Sequence, residues 1–233
     1  MQSPRTSHFL ALEHTLRYLT GSSGQGILLQ ANCSLSLQAF SDSDWASCLF
    51  TRRSVTGYLL LLGNSPISWK SKKQSTVSKS STEAEYRALS QAAAEVTWLV
   101  RLLSELGVPH TQPVTLHCDS QSALQLAKNP VFHERTKHIE VDCHFTRAKV
   151  LEGLLQLTYL PSSLQLADIL TKILPSPQHR ELISKLGMVT PHSQLEGGCW
   201  GVPTICYFCF SVVTKIPAVA LYLLFPPFSL LVC

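Results

Sequence analysis

The chain has 233 residues, 45% of them apolar and 15% charged, with a formal net charge of +4. That length accommodates one good-sized domain with an appendage, or two small domains, and the apolar content is ordinary for a globular core. The eight cysteines show no framework spacing, which excludes a disulfide scaffold.

Met1–Thr20 carries Arg5, Glu13, His14 and Arg17, so it does not read as a secretory signal; a reduced compartment, cytoplasmic or nuclear, is expected. Within Met1–Leu29, Phe9, Leu12, Leu16 and Leu19 stand near helical spacing, closed by Gly21-Ser22-Ser23-Gly24. This predicts an amphipathic helix that must pack on something. Leu35–Ser41 is a strand running into Asp42-Ser43-Asp44-Trp45. Thr56–Leu62 and Pro66–Lys70 are two more, joined through Gly63-Asn64-Ser65 as a hairpin. Ser71–Lys79 is a polar, basic connection to the longest helix of the chain.

That helix covers Ser80–Leu103, with Ser80 as N-cap and Glu83 at capping-box spacing. Glu85, Leu89, Ala92, Val96, Leu99 and Leu103 fall on one stripe. A carboxylate on a core-facing stripe is costly unless it is paired, opens on a cleft, or binds a cation. Glu83 lies about 200° round the helix, where a cap or an ion pair with Arg87 accounts for it. Glu85 is the acid that needs a reason.

Gly107 and Pro109 end the helix. Val114–Cys118 is a strand ending in Asp119, followed by a short helix over Ser120–Lys128. His138–Glu152 is helical, Leu154–Leu160 is a strand, and Ser162, with Gln165 three residues on, caps a helix carrying Asp168. Three strands, a helix, a strand, two helices, a strand and a helix make an α/β domain. Its mixed sheet begins antiparallel and grows by parallel additions.

From Gly197 to Cys233 Lys215 is the only charged residue. Ile216–Cys233 is barely long enough to span a bilayer, and Pro217 and Pro226-Pro227 argue against a spanning helix. The expectation is a tail outside the domain. Cys206 and Cys209 read as neighbours in an apolar run, because no second pair stands at zinc-site spacing.

Asp42 ends the first strand, Glu85 begins the long helix, Asp119 ends the fourth strand, and Asp168 lies in the last helix. Strand ends and helix starts of an α/β sheet converge on one crevice. Carboxylates gathered there repel one another unless hard divalent cations sit among them, which suits Mg²⁺ or Mn²⁺. Two such ions are the arrangement that cleaves phosphodiesters. Taken singly, each Asp after a strand is a turn or cap residue; the four together ask for more.

The stretches Ser41-Asp42-Ser43-Asp44-Trp45-Ala46, Thr51-Arg52-Arg53-Ser54-Val55-Thr56-Gly57-Tyr58, Ile67–Gln74, Ser80–Leu89, Cys118–Ala123, Arg135–Val141 and Gln165–Lys172 resemble, in order, the RNase H domain of copia-type LTR retrotransposon Pol polyproteins. The likeness runs from about Leu35 to about Met188. Met1–Leu29, with Leu16-Arg17-Tyr18-Leu19-Thr20-Gly21, is similar to the end of that family's reverse transcriptase connection. The divisions are 1–34 as that remnant, 35–175 as the RNase H-like domain, 176–196 as an extension, and 197–233 as the apolar tail.

The resemblance implies an RNase H-like fold, a mixed five-stranded sheet flanked by helices. It implies an endonuclease that cuts the RNA strand of an RNA–DNA hybrid with two Mg²⁺ or Mn²⁺ ions. Asp42, Glu85, Asp119 and Asp168 would be its metal-binding quartet, with Asp42 bridging the ions and Asp168 on the water-activating one. Asp44 is a spare ligand. Arg52, Arg53, Lys70, Lys72, Lys73 and Lys79, beside Trp69, would meet the hybrid through phosphates. His138 would contact the backbone or cap its helix. Leu49-Phe50 replace the more polar turn usual in the family.

The sequence carries no polymerase acidic motif, protease triplet or integrase domain. Partners would be the hybrid and the reverse transcriptase part of a related polyprotein. The first rival is a relic that binds nucleic acid without turnover. An integrase-like member of the fold would place its Glu last, whereas here it comes second. A membrane role for the tail is the remaining alternative.

Overall fold

The computed structural model describes residues 3–22, 24–29, 34–108, 112–128 and 139–189. The amphipathic sequence near the N-terminus forms α1, Thr6–Gly21, and a two-residue strand β1, Gly26–Ile27, follows it. The expectation that α1 packs on something is not met among the described residues. Phe9, Leu12, Leu16 and Leu19 stay 48–60% exposed, and the helix buries none of its residues. Tyr18 makes an edge-on contact with the His179 ring.

The main sheet begins with β2, Leu37–Asp44, pairs antiparallel with β3, Val55–Leu62, and turns into β4, Ser65–Lys73. The β3–β4 turn needs Gly63, whose φ is +60°, a conformation that costs glycine nothing. β4 runs further than expected: Ser71, Lys72 and Lys73 are strand residues because they continue the ladder against Gly57, Thr56 and Val55.

Helix α2, Ser81–Glu105, follows. The Ser80 hydroxyl accepts from the Glu83 N–H at 3.2 Å, while the Glu83 carboxylate accepts from the Lys79 N–H at 2.8 Å and pairs with Arg87 at 2.8 Å. Glu83 is thus structural, though it caps one residue earlier than a regular capping box. Glu85 and the other five residues of its stripe are all buried. Gly107, at φ +80°, closes the helix in a Schellman-type turn.

Strand β5, Val114–Cys118, joins β2 in parallel; α3, Gln121–Lys128, and α4, Glu140–Leu151, lead to β6, Leu155–Tyr159, parallel to β5. The five-stranded order β4-β3-β2-β5-β6, antiparallel on one side and parallel on the other, is an RNase H-like α/β sheet. After β6 the structure departs from the expected capped helix. Ser162–Leu164 is a single 3-10 turn, Gln165 is extended, and the helix α5 is only Asp168–Thr171. The reason is that Ser162 and Gln165 spend their side chains on the sheet end, not on a helix terminus. α6, Ser176–Lys185, and β7, Met188–Val189, complete the described chain, β7 pairing with β1.

Two apolar clusters sandwich the sheet. One holds Leu37, Ala39, Tyr58, Leu60, Leu116 and the α2 stripe. The other sets Phe40, Leu59 and Leu61 against Leu166, Ala167, Leu182 of α6 and Leu186 just after it. The opposite parity of residues 39 and 40 on β2 assigns them to opposite faces. No helix among the described residues is long and apolar enough to cross a membrane. The tail, with Cys206, Cys209 and Ile216–Cys233, lies outside the described residues, as does His138.

Candidate active site at the end of the sheet

Parallel pairing brings the C-terminal ends of β2, β5 and β6 to one edge of the sheet. Asp42 sits near the end of β2, 1% exposed, and Asp119 follows β5 directly. Glu85 arrives on the first turns of α2 and its Oε1 accepts from the Ser43 N–H at 3.1 Å. Asp168 arrives on α5. Oxygens of Asp42, Asp119 and Asp168 lie within 4.8 Å of one another. Asp119 also shares a cluster of that size with Glu85 and Cys118. Asp44 joins neither group.

The electrostatics are strained. Burial pushes the Glu85 carboxyl up to about 9, and the charges of Asp42 and Asp119 add to the effect. Burial also raises Asp168, to about 6, and raises Asp42 despite the opposing Thr171 hydrogen bond and Lys172 charge. Three acids whose ionised forms are disfavoured stand around Asp119 at this sheet end, which is the condition a divalent cation relieves. The donor set fits such an ion. It is made of hard carboxylate oxygens, and Glu85 Oε2 is buried with no hydrogen-bond partner among the described residues. Cys118 is a poor ligand for a hard ion, and burial pushes its thiol far above the ordinary range, keeping it protonated. The usable ligands are Asp42, Asp119, Asp168 and Glu85.

Several residues to which sequence reasoning gave no role at this site hold the arrangement. The Thr171 hydroxyl donates to Asp42 Oδ2. Lys172 Nζ lies 3.2 Å from Asp42 Oδ1 and 2.7 Å from Asp168 Oδ1. The Ser162 hydroxyl donates to Asp119 Oδ2 at 2.8 Å. Gln165 is wholly buried; its Nε2 donates to the Ser41 carbonyl at 3.0 Å and its Oε1 accepts from the Ala167 N–H, so it pins the segment before α5 to β2. Gln74 Nε2 reaches Thr56 Oγ1 and the Ala84 carbonyl, each at 3.0 Å, tying the start of α2 to β3. Gln165, Thr171 and Lys172 all stand in the quoted Gln165–Lys172 stretch, but nothing local says which group each one reaches.

Gly57 is the cross-strand partner of Asp42, and α5 lies directly over it. A Cβ there would come 2.6 Å from Thr171 Cγ2 and 3.0 Å from Leu170 Cβ. Gly57→Val should therefore lift α5 from the sheet, destabilising the protein by about 1–3 kcal/mol. The measurement is urea unfolding of the variant beside wild type. Unchanged stability would mean that α5 docks loosely.

Arg52, Arg53, Lys70, Lys72, Lys73 and Lys79 are all exposed. They do not form one stripe. Alternation along β4 sends Lys70 and Lys72 to one face and Lys73 to the other. Lys70 stacks over the Tyr58 ring at 5.9 Å, while Lys73 Nζ reaches Cys48 Sγ at 3.0 Å on the β2–β3 loop. Arg52 sits on that loop at φ +52°, beside fully exposed Phe50.

No protein-family profile matches the chain. It is 45% identical over 188 residues to the retrovirus-related Pol polyprotein from transposon RE1 of Arabidopsis thaliana, covering 81% of this chain and 13% of that protein. It is 42% identical over 202 residues to the corresponding polyprotein from transposon RE2 of the same plant, covering 87% of this chain and 14% of that one. The chain thus spans about an eighth to a seventh of the length of these curated relatives. Among solved structures, LC11-RNase H1 in complex with an RNA/DNA hybrid superposes with a TM-score of 0.44 at 14% identity, over 58% of this chain and 94% of that one.

Proposed function

Because this chain belongs to the copia-type Pol polyproteins of retrotransposons, we propose that its RNase H-like domain hydrolyses the RNA strand of RNA–DNA hybrids, using Asp42, Glu85, Asp119 and Asp168. The observation that carries the reading is the convergence of four carboxylates from separate parts of the chain on one sheet end, where burial disfavours the charge of Asp42, Glu85 and Asp168. Two divalent ions, Mg²⁺ or Mn²⁺, held by these acids would activate water and stabilise the leaving oxygen. The residues of the chain divide the remaining work. Asp42, fixed by Thr171, would be one ligand. Asp119, just after β5, and Asp168, on α5, would be ligands beside it, and Glu85 on α2 would join through Asp119 with its Oε2.

Lys70, Lys72, Lys73, Lys79, Arg52 and Arg53 would hold the hybrid by its phosphates, without reading sequence. Binding should weaken steeply with salt, and the double variant Lys70→Ala/Lys72→Ala should lower the slope of log K against log salt by about 2. Fluorescence anisotropy of a labelled hybrid over a salt series measures it. An unchanged slope would remove these two lysines from the interface.

The test of the function is cleavage of an end-labelled RNA–DNA hybrid by the full chain with Mg²⁺ or Mn²⁺. Metal-dependent cutting of the RNA strand alone supports the reading. A folded protein that binds hybrid and never cuts would establish the alternative, a nucleic-acid-binding relic.

A further inference from the structure

The lysine among the acids suggests how the site manages its charge, an inference that rests on reading those acids as metal ligands. Both oxygens of Asp42 are already taken by the same short segment: Oδ2 by the Thr171 hydroxyl and Oδ1 by the Lys172 ammonium. The same ammonium lies 2.7 Å from Asp168 Oδ1. Asp42 and Asp168 are two of the three acids whose oxygens cluster within 4.8 Å, so one side-chain cation bridges the pair a divalent ion would bridge.

A metal ion on Asp42 Oδ1 would stand close to the lysine nitrogen already there. At such separations the two positive charges would repel by several kcal/mol. Of the two donors from α5 and its end, Lys172 is the charged one, and the two also differ in freedom. Thr171 is wedged against Gly57, with Cγ2 at 2.6 Å from the Cβ position there. Lys172 is the residue after α5, its side chain is 33% exposed, and a flexible four-carbon stem lets its head swing to water.

We propose that Lys172 is a built-in competitor for the ion held between Asp42 and Asp168. It neutralises the two acids while no divalent ion is bound, and it must leave Asp42 before that ion can bind. The lysine thereby keeps α5 docked in the metal-free protein and raises the metal concentration needed to fill the site.

The test uses the full chain with Mn²⁺ alone as probe, measured by titration calorimetry, and melting curves in chelator and with Mg²⁺. Lys172→Gln should bind Mn²⁺ about tenfold tighter, melt lower than wild type in chelator, and gain more from Mg²⁺. Lys172→Arg keeps the charge in a planar fork that grips two carboxylates at once, and should bind Mn²⁺ several-fold weaker. A merely structural ion pair would lower melting without moving affinity. Mn²⁺ affinities within about twofold of wild type in both variants would overturn the proposal while leaving the metal site intact. If the Gln variant fails to fold in chelator, the Arg variant decides alone. A wild-type protein that binds no Mn²⁺ would fell the metal reading itself, and this inference with it.

Discussion

Asp119→Asn should reduce metal-dependent cleavage of an RNA–DNA hybrid by about three orders of magnitude, a loss of about 4 kcal/mol of transition-state stabilisation. Folding should hardly change. Asp119 follows β5 at a half-buried position, and its one side-chain hydrogen bond is accepted from Ser162. Asparagine keeps an oxygen of the same size for that hydroxyl. What it removes is the negative charge that Asp119 contributes to both clusters of potential ligands at the sheet end. Thermal melting in chelator separates the two effects, with a shift of no more than about 2 °C expected. A variant that still cuts at near wild-type rate would remove Asp119 from the site and sink the quartet as described.

Glu85→Gln should make the metal-free protein more stable at pH 8, by roughly 5 kcal/mol, the ~1.36 kcal/mol per pH unit that wild type loses above the unfolded value. The Glu85 carboxyl stands at about 9 in the folded chain, because it is buried and faces Asp42 and Asp119. In the unfolded chain it returns to the ordinary value, 4.5. Between those values the folded protein holds a proton that the unfolded protein releases. The contribution to stability is therefore complete below about pH 4.5 and drains away as pH rises towards 9. Asp168, at about 6, adds a shorter decline of the same sign. Glutamine preserves the bond from the Ser43 N–H and stays neutral throughout, so the variant should match wild type near pH 5 and exceed it at pH 8. Mg²⁺ should reverse the order, since only the wild-type carboxylate gains from a cation. Urea unfolding at the two pH values, with chelator and with Mg²⁺, measures all of this. Parallel pH curves for the two proteins would mean that Glu85 is ionised and already compensated.

These two acids also mark how far a sequence can be read. Glu85 could be chosen over Glu83 from periodicity alone, because a stripe of Leu, Val and Ala commits one face of α2 to the core, and the chosen acid lies on it. The structure buries both glutamates, but Glu83 spends its charge on Arg87 and the Lys79 N–H, whereas Glu85 keeps an oxygen without a partner. Asp42 and Asp44 differ by two residues and share a face of β2, so alternation could not separate them; the family resemblance favoured Asp42, and in the structure Asp42, not Asp44, lies among the other acids.

What the sequence determined by itself was the kind and order of the elements: period-two and helical repeats, the Ser80 cap, the turns at Gly63 and Gly107, and hence the mixed sheet. These are local signals, written within a turn or a strand length. It did not determine that Ser162 and Gln165 serve the sheet end instead of a helix cap, that the α1 stripe stays exposed, or that Lys172 stands among the acids. Lys172 and Asp42 are 130 residues apart, and Thr171 and Asp42 are 129 apart. Their meeting follows from strand order and from Gly57 leaving room for α5, and long-range pairing leaves no trace in local periodicity.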